Sequence, residues 1–260
     1  MPELLEVERY RQLASSALGR AIVDVRDVDR LLLADGLTTG GLRRALRGRR
    51  FIAARRIGKL LLLDTDGGST LGLHFGMTGI LEVDGTRAIE HLQHASRRRD
   101  PRWVRLAVMF ADGGALALHD QRRLGAISLD PDTSRLGPDA MSVSGGALRR
   151  VMAEGRAPIK ARLLDQRRLA GLGNLLVDEI LWRAGLDPAR PGWTLTPAEH
   201  RRLHRHLRQA LLELLARGGS HTGDLQAERR RAGRCPRDGA LLERRVVGGR
   251  TTYSCPLHQR

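Results

Sequence analysis

Three groups of residues in this 260-residue chain have the types and spacing for chemistry. The first opens the chain, MPELLEVERY, where Pro2 is followed by Glu3, Glu6 and Glu8. These residues make a good helix start, because proline in the first turn gives up only an N–H that would be unpaired and acidic groups complement the helix dipole. The same arrangement raises the question of whether the chain end is itself a reactive amine. The second group is Lys59 and Lys160, the only lysines among 45 basic residues. A chain that uses arginine everywhere else keeps lysine where a compact ammonium or a deprotonatable amine is needed, so both are site candidates. The third is Cys235-x2-Asp238 followed sixteen residues later by Cys255-x2-His258. Two chelating pairs at this separation have the spacing of a zinc ribbon. Thiolate, imidazole and carboxylate are all zinc donors, the carboxylate being the hardest. A hairpin that keeps its shape without metal, or a Cys235–Cys255 disulfide, which a reducing cytoplasm disfavours, are the alternatives.

The whole chain narrows the class. Net charge is +16 with a pI near 11.4. Residues 149–260 hold 23 basic against 11 acidic residues and so carry +12 of that charge. Such a surface calls for a polyanion, and nucleic acid is the commonest one in a cytoplasm. No apolar run of about 20 residues and no secretory leader are present, so no membrane span and a cytoplasmic location are expected. Two cysteines are too few for a disulfide framework.

The elements that must position these groups fall into two halves. Leu4, Leu5, Val7, Tyr10, Leu13, Ala14 and Leu18 recur at helical spacing and predict an amphipathic helix over 3–18. Short Val/Ile/Leu-rich runs separated by DGG and ADGG turns, with a helix near 38–47, predict an antiparallel β-sandwich over 1–130. DPDTSRLGPDAMSVSG has no periodicity and reads as a linker over 131–147. Helical patterns fill 148–219, and 220–260 reads as a short loop followed by a Gly/Arg-rich β-hairpin. The expected fold class is thus α+β and multidomain.

MPELLEVE, GKLLLL, HFGMTG, DQRRLG, LGPDAM, IKARLLDQRRLAGLGNLLVDEILWRAGLDP and the tail CPRD…TTYSCPLHQR stand in an order that resembles formamidopyrimidine-DNA glycosylases. The wider group includes endonuclease VIII, and the resemblance covers essentially the full chain. Its most specific part, Asp165 to Gly185, is similar to that family's helix, two turns, helix DNA-binding element.

The resemblance implies a bifunctional DNA glycosylase and apurinic/apyrimidinic lyase that removes oxidised bases, purines first, in base excision repair. Pro2, freed by removal of Met1, would be the Schiff-base nucleophile, Glu3 the proton shuttle and Glu6 a supporting carboxylate. Glu8 is expected to be solvated. Lys59 would contact phosphate beside the nucleophile, and Lys160 would lie near the damaged nucleotide. His74 would hold phosphate, Met77 fill the vacated stack, Arg122 face the orphaned base and Leu124 act as wedge, because a base in a duplex must be flipped out and its place filled. Asn174 and Arg250 carry over as phosphate anchors. Cys235, Asp238, Cys255 and His258 would hold one structural Zn2+. Double-stranded damaged DNA is the implied partner of a monomer acting at the nucleoid.

The sequence departs from the family pattern at Leu5, Gln121, Leu124, Asp238 and His258, and only fifteen residues separate Gly219 from Cys235, where oxidised-purine enzymes have a longer insert. Lesion identity is therefore the least transferable property. A second reading, from another class, is a protein that binds damaged DNA or abasic sites with lyase activity and little or no base excision. A third is a basic zinc-ribbon nucleic-acid module without chemistry.

Overall fold

The first helix, α1 (Leu4–Ala14), starts from a reciprocal cap in which the Glu6 carboxylate accepts the backbone N–H of Glu3 at 2.8 Å and Glu3 caps Glu6 in return. It ends in a 3-10 turn at Ser15–Ala17, so the helix expected over 3–18 is shorter and tightens at its end. The computed structural model describes residues 2–89, 92, 95–96 and 98–260. Met1 lies outside the described residues. The chain divides into two compact units, Met1–Thr133 and Ser134–Arg260.

Unit one contains β1 (Ile22–Arg26), α2 (Thr39–Leu46), β2 (Phe51–Ile57), β3 (Leu60–Thr65), β4 (Thr70–His74), β5 (Ile80–Val83), β6 (Thr86–Arg87), β7 (Val104–Phe110), β8 (Ala115–His119) and β9 (Ala126–Leu129). They form two antiparallel sheets, in the orders β1-β7-β8-β5-β6 and β2-β3-β4-β9. Inward-facing residues of both sheets, such as Leu61, Leu63, Leu71 and Leu73 against Leu106, Val108, Leu116 and Leu118, share one core. Burying each such side chain stabilises by about 1.5–3 kcal/mol. Val7, Tyr10 and Ala14 of α1 belong to the same core, and α1 packs on β2, β3 and β5. This is the expected β-sandwich with its N-terminal helix.

Unit two contains α3 (Gly145–Ala153), α4 (Ile159–Leu164), α5 (Asn174–Ala184), α6 (Pro197–Arg217), β10 (Glu243–Val247) and β11 (Arg250–Ser254). Gly185 stops α5 in the left-handed conformation, φ +63°. Thr196 and Glu199 form the cap that starts α6. The segment read as a linker is no free tether: Gly137 and Ala140 donate backbone bonds to Gln166 and Ala170 at 2.9 Å each, which lays it on the α4–α5 connection. Its Pro, Gly and Asp residues suppress periodicity without preventing backbone pairing. No helix among the described residues is long and apolar enough to cross a membrane.

Candidate active site and nucleic-acid interface

Pro2 is buried, and the two carboxylates that follow it are each 1% exposed. Their mutual cap fixes them one helical turn apart, directly after the proline. Glu8 is not solvated as expected. It is buried between Arg11, at 2.7 Å, and Arg56, at 3.2 Å, because α1 packs its polar side on β2. Arg56 also donates to the carbonyl of Gly58 at 2.9 Å, so one guanidinium ties the helix that carries Glu3 to the turn that carries Lys59.

The turn after β2 sets Lys59 beside Leu60, whose cross-strand partner is His74. The imidazole of His74 is held below its usual pKa by desolvation and by the Lys59 charge, with Asp120 opposing. The ring is nevertheless exposed, so the Lys59 charge is the sounder physical account. Its Nδ1 accepts the N–H of Gly76 at 3.2 Å, which leaves the proton on Nε2 as a donor.

Met77, Arg122 and Leu124 come together by sheet topology. β4 pairs with β9 through His74 and Ala126, while β5 pairs with β8 through Ile80 and His119. The two connections between the sheets, 75–79 and 120–125, must therefore run side by side. A guanidinium nitrogen of Arg122 lies 3.4 Å from the Met77 sulfur, and Leu124 is 46% exposed, unusual for leucine next to a core. Asp120 organises the pair: fully buried, it accepts the Thr78 hydroxyl and the backbone N–H groups of Arg122, Leu124 and Gly125. Between those bonds Arg123 is held at φ +53°. Gly76 has no alternative, since a Cβ there would meet the Leu124 carbonyl carbon at 2.3 Å.

In unit two Lys160 does not behave as a nucleotide contact. Its side chain has no exposure, and its ammonium is 2.6 Å from Asp178, 2.8 Å from the Thr252 hydroxyl and 3.2 Å from the Thr251 carbonyl. The other Asp178 oxygen accepts from Arg229 and from the backbone of Tyr253. The lysine thus joins α4, α5 and β11 instead of facing solvent. Asn174, first residue of α5, donates to the same Thr251 carbonyl at 3.1 Å and keeps a buried Oδ1 without a partner. Arg250 is exposed one residue away. The β10–β11 turn at Gly248 and Gly249, both at positive φ, suits a tight hairpin. A Cβ on Gly248 would meet that of Ala161 at 2.9 Å, so the hairpin tip seats directly on α4. The shortened segment before Cys235 is pinned by Glu179, which accepts from the backbone of Asp224 and Leu225 at 3.1 and 2.9 Å.

Cys235, Asp238, Cys255 and His258 bring one ligand atom each within 4.8 Å of one another. Tetrahedral zinc separates its ligands by roughly 3.3–3.8 Å, and Cys235 lies 3.6 Å from His258 and Cys255 3.2 Å from Asp238. The cysteines are free and buried, which removes the disulfide alternative for this structure. Nε2 of His258 lies 3.3 Å from the Trp182 carbonyl, while Nδ1 stands 2.7 Å from the Asp238 carboxylate; an ion would take the place of the proton between that pair, with Nε2–H donating to Trp182 as in metal-bound histidines. Trp182 also donates its indole N–H to the Cys235 sulfur at 3.3 Å. With only protein around it the Cys255 thiol is pushed up to about 11, chiefly by burial, so an ion that binds must displace its proton. The four donors fit a metal ion.

Residues 1–127 match the formamidopyrimidine-DNA glycosylase N-terminal domain and residues 136–226 match that enzyme's H2TH domain. A formamidopyrimidine-DNA glycosylase of Cereibacter sphaeroides is 37% identical, with 100% of each chain covered. The chain belongs to the formamidopyrimidine-DNA glycosylase family. Other members from Chloroflexus aggregans and Thermus thermophilus are each 35% identical over 100% of this chain and 98% of theirs. Among solved structures, a Lactococcus lactis family member in complex with abasic-site DNA superposes with a TM-score of 0.83 at 25% identity, covering 100% of both chains. Another complex from that organism, with a FAPY-dG containing DNA, gives 0.83 at 26% identity and covers 99% of this chain and 100% of that one.

Several positioning residues escaped the sequence reading. Asp120 opens DQRRLG, and Asp178 and Glu179 lie inside the Asp165–Gly185 stretch, so each sat in a motif already singled out. Arg56 and Arg229 carried no such signal in an arginine-rich chain.

Proposed function

We propose that this protein is a bifunctional DNA glycosylase and abasic-site lyase of base excision repair, acting on oxidised bases through Pro2. The observation that carries the reading is the buried, mutually capped Glu3–Glu6 pair immediately after the proline. Once Met1 is removed, the Pro2 nitrogen attacks deoxyribose C1′ and the N–C1′ bond to the base breaks, the base leaving with a proton. Glu3 protonates O4′, opening the ring to the iminium, and as carboxylate takes the C2′ proton so that the 3′ phosphate departs by β-elimination. A terminal amine with a pKa of roughly 8 is partly neutral at neutral pH, and the Lys59 cation favours that neutral form. Glu6 holds the Glu3 backbone in place.

His74, through Nε2–H, and Lys59 bind phosphate; Met77 and Leu124 fill the space of the flipped nucleotide, and Arg122 faces the orphaned base. Asn174, at the N-terminus of α5, and Arg250 anchor phosphate. One Zn2+ held by Cys235, Asp238, Cys255 and His258 would cross-link the two chelating knuckles around the hairpin. The protein acts as a cytoplasmic monomer at nucleoid DNA.

Borohydride trapping on an abasic-site duplex tests this. Protein shown to start at Pro2 forms a covalent adduct, and Pro2→Gly loses it; equal trapping, or none by wild type, sinks the reading. A trap on abasic DNA without release of any oxidised base favours the second reading, a lyase that binds damage without excising it.

A further inference from the structure

We propose that Trp182 is a positioning residue of the metal centre: its indole N–H holds the Cys235 sulfur and its backbone carbonyl holds the His258 imidazole, so that α5 sets how tightly the four donors bind an ion. This rests on the proposed Zn2+ site and adds to it a residue that lies outside both chelating knuckles.

Trp182 stands in the last turn of α5, 53 residues before Cys235 in the chain. Its side chain is buried in one cluster with Leu225, Cys235, Leu242 and Cys255. A buried indole N–H needs an acceptor, and in this apolar cluster the Cys235 sulfur at 3.3 Å supplies it. The carbonyl of the same residue belongs to the helix end, where carbonyls lack their full set of helical partners. It accepts the N–H of Gly185 at 3.2 Å and faces Nε2 of His258 at 3.3 Å. One residue therefore fixes the sulfur of one knuckle and the ring of the other.

The donor set explains why a thiolate here calls for N–H groups. Two thiolates and one carboxylate bring three negative charges to a divalent ion, so one remains uncompensated at a site whose cysteines are both buried. A buried charge is unfavourable unless hydrogen-bond donors surround it. Cys235 has two, the indole N–H and the backbone N–H of Arg237 at 3.4 Å. The Arg237 guanidinium also lies 5.2 Å from the centre of the Trp182 ring, and its bond to the Arg183 carbonyl at 3.3 Å keeps it there. A cation over the ring draws on its π electrons and makes the N–H a stronger donor. Hydrogen bonding to a ligating sulfur moderates the electron density that it gives the metal and fixes its direction.

Trp182→Phe keeps a buried aromatic ring and the backbone carbonyl and removes the N–H. Zinc affinity of the full chain is read by competition with a chromophoric chelator, and the same proteins loaded with Co2+ give the sulfur-to-metal charge-transfer band. Zinc binding weaker by about 10–100-fold in the variant is expected. The cobalt band should also move to longer wavelength, because a thiolate without its donor gives up an electron more easily. Equal affinities overturn the proposal. So does weaker binding with an unmoved band, which would make Trp182 a packing residue only. A wild type that binds neither ion sinks the proposed Zn2+ site itself, and this assignment with it. Replacing Trp182 by its benzothiophene analogue exchanges only the N–H for sulfur, and gives both readings if the smaller phenyl ring leaves a cavity that unfolds the chain.

Discussion

The Thr78 hydroxyl donates to the Asp120 carboxylate, and this one bond joins the two connections that carry Met77 on one side and Arg122 and Leu124 on the other. Asp120 has no exposure and serves four donors. Asp120→Asn turns an amide N–H2 toward N–H groups and should cost about 2 kcal/mol. It should also weaken binding to an abasic-site duplex by more than that stability loss explains, because the loop that carries Arg122 and Leu124 loses its geometry. Thermal unfolding and fluorescence anisotropy on the same variant check this; unchanged DNA affinity would make Asp120 a purely structural residue.

Lys160 and Asp178 form a fully buried pair with Arg229 on the second oxygen. Lys160→Met takes the ammonium from a buried carboxylate that keeps Arg229 as its counter-ion, and should destabilise by about 3 kcal/mol. Lys160→Met/Asp178→Asn should destabilise further, because it leaves the nearly buried Arg229 without its carboxylate. Urea unfolding of the single and double variants decides it. A stable Lys160→Met with weakened DNA binding would restore the lysine to the DNA surface.

The donor cluster predicts one zinc per chain in purified wild type and far less in Cys255→Ser. Chelation should lower the unfolding temperature of wild type by about 5–10 °C and leave Cys255→Ser unmoved. Elemental analysis with calorimetry reads both, and a metal-free wild type that unfolds normally removes the metal.

His74 has a folded pKa below its usual 6.5. Between those two values the unfolded chain binds the extra proton, so this residue's contribution to stability falls as pH drops through 6.5. With Nδ1 accepting the Gly76 N–H, the neutral ring can offer Nε2–H to a phosphate without taking up a proton. His74→Gln should therefore weaken binding to an abasic-site duplex by a similar factor at about pH 6 and pH 7, read by fluorescence anisotropy. Unchanged affinity in the variant would remove the phosphate contact.

Glu199 is lowered to about 2 by Arg190 and the Thr196 cap, against the effect of burial. A depressed carboxylate contributes above its unfolded pKa near 4.5 and loses that contribution as pH falls toward 2. Glu199→Gln should cost about 1 kcal/mol at neutral pH and nothing at the acid end. Unfolding midpoints of both proteins across that range check the convergence.

Alternating strands, the turn signals between them and the capped helices were legible because each depends on neighbours within a few residues. The β-sandwich and α2 followed from local pattern alone, whereas the reciprocal Glu3–Glu6 cap, which leaves Pro2 outside the helix, came only from the structure. The donors Cys235, Asp238, Cys255 and His258 were legible too, since a hairpin folds its two ends together whatever surrounds it. Burial was not. Glu8 looked like a solvated helix residue until Arg56 of β2 closed over it, and Lys160 looked like a surface cation until Asp178 claimed it. Charge type can be read from a residue, but exposure depends on what packs against it from distant parts of the chain. The meeting of Met77 with Arg122 and Leu124 required two sheets whose neighbouring strands place both connections on one edge. That is a property of strand order, and no single stretch of sequence contains it.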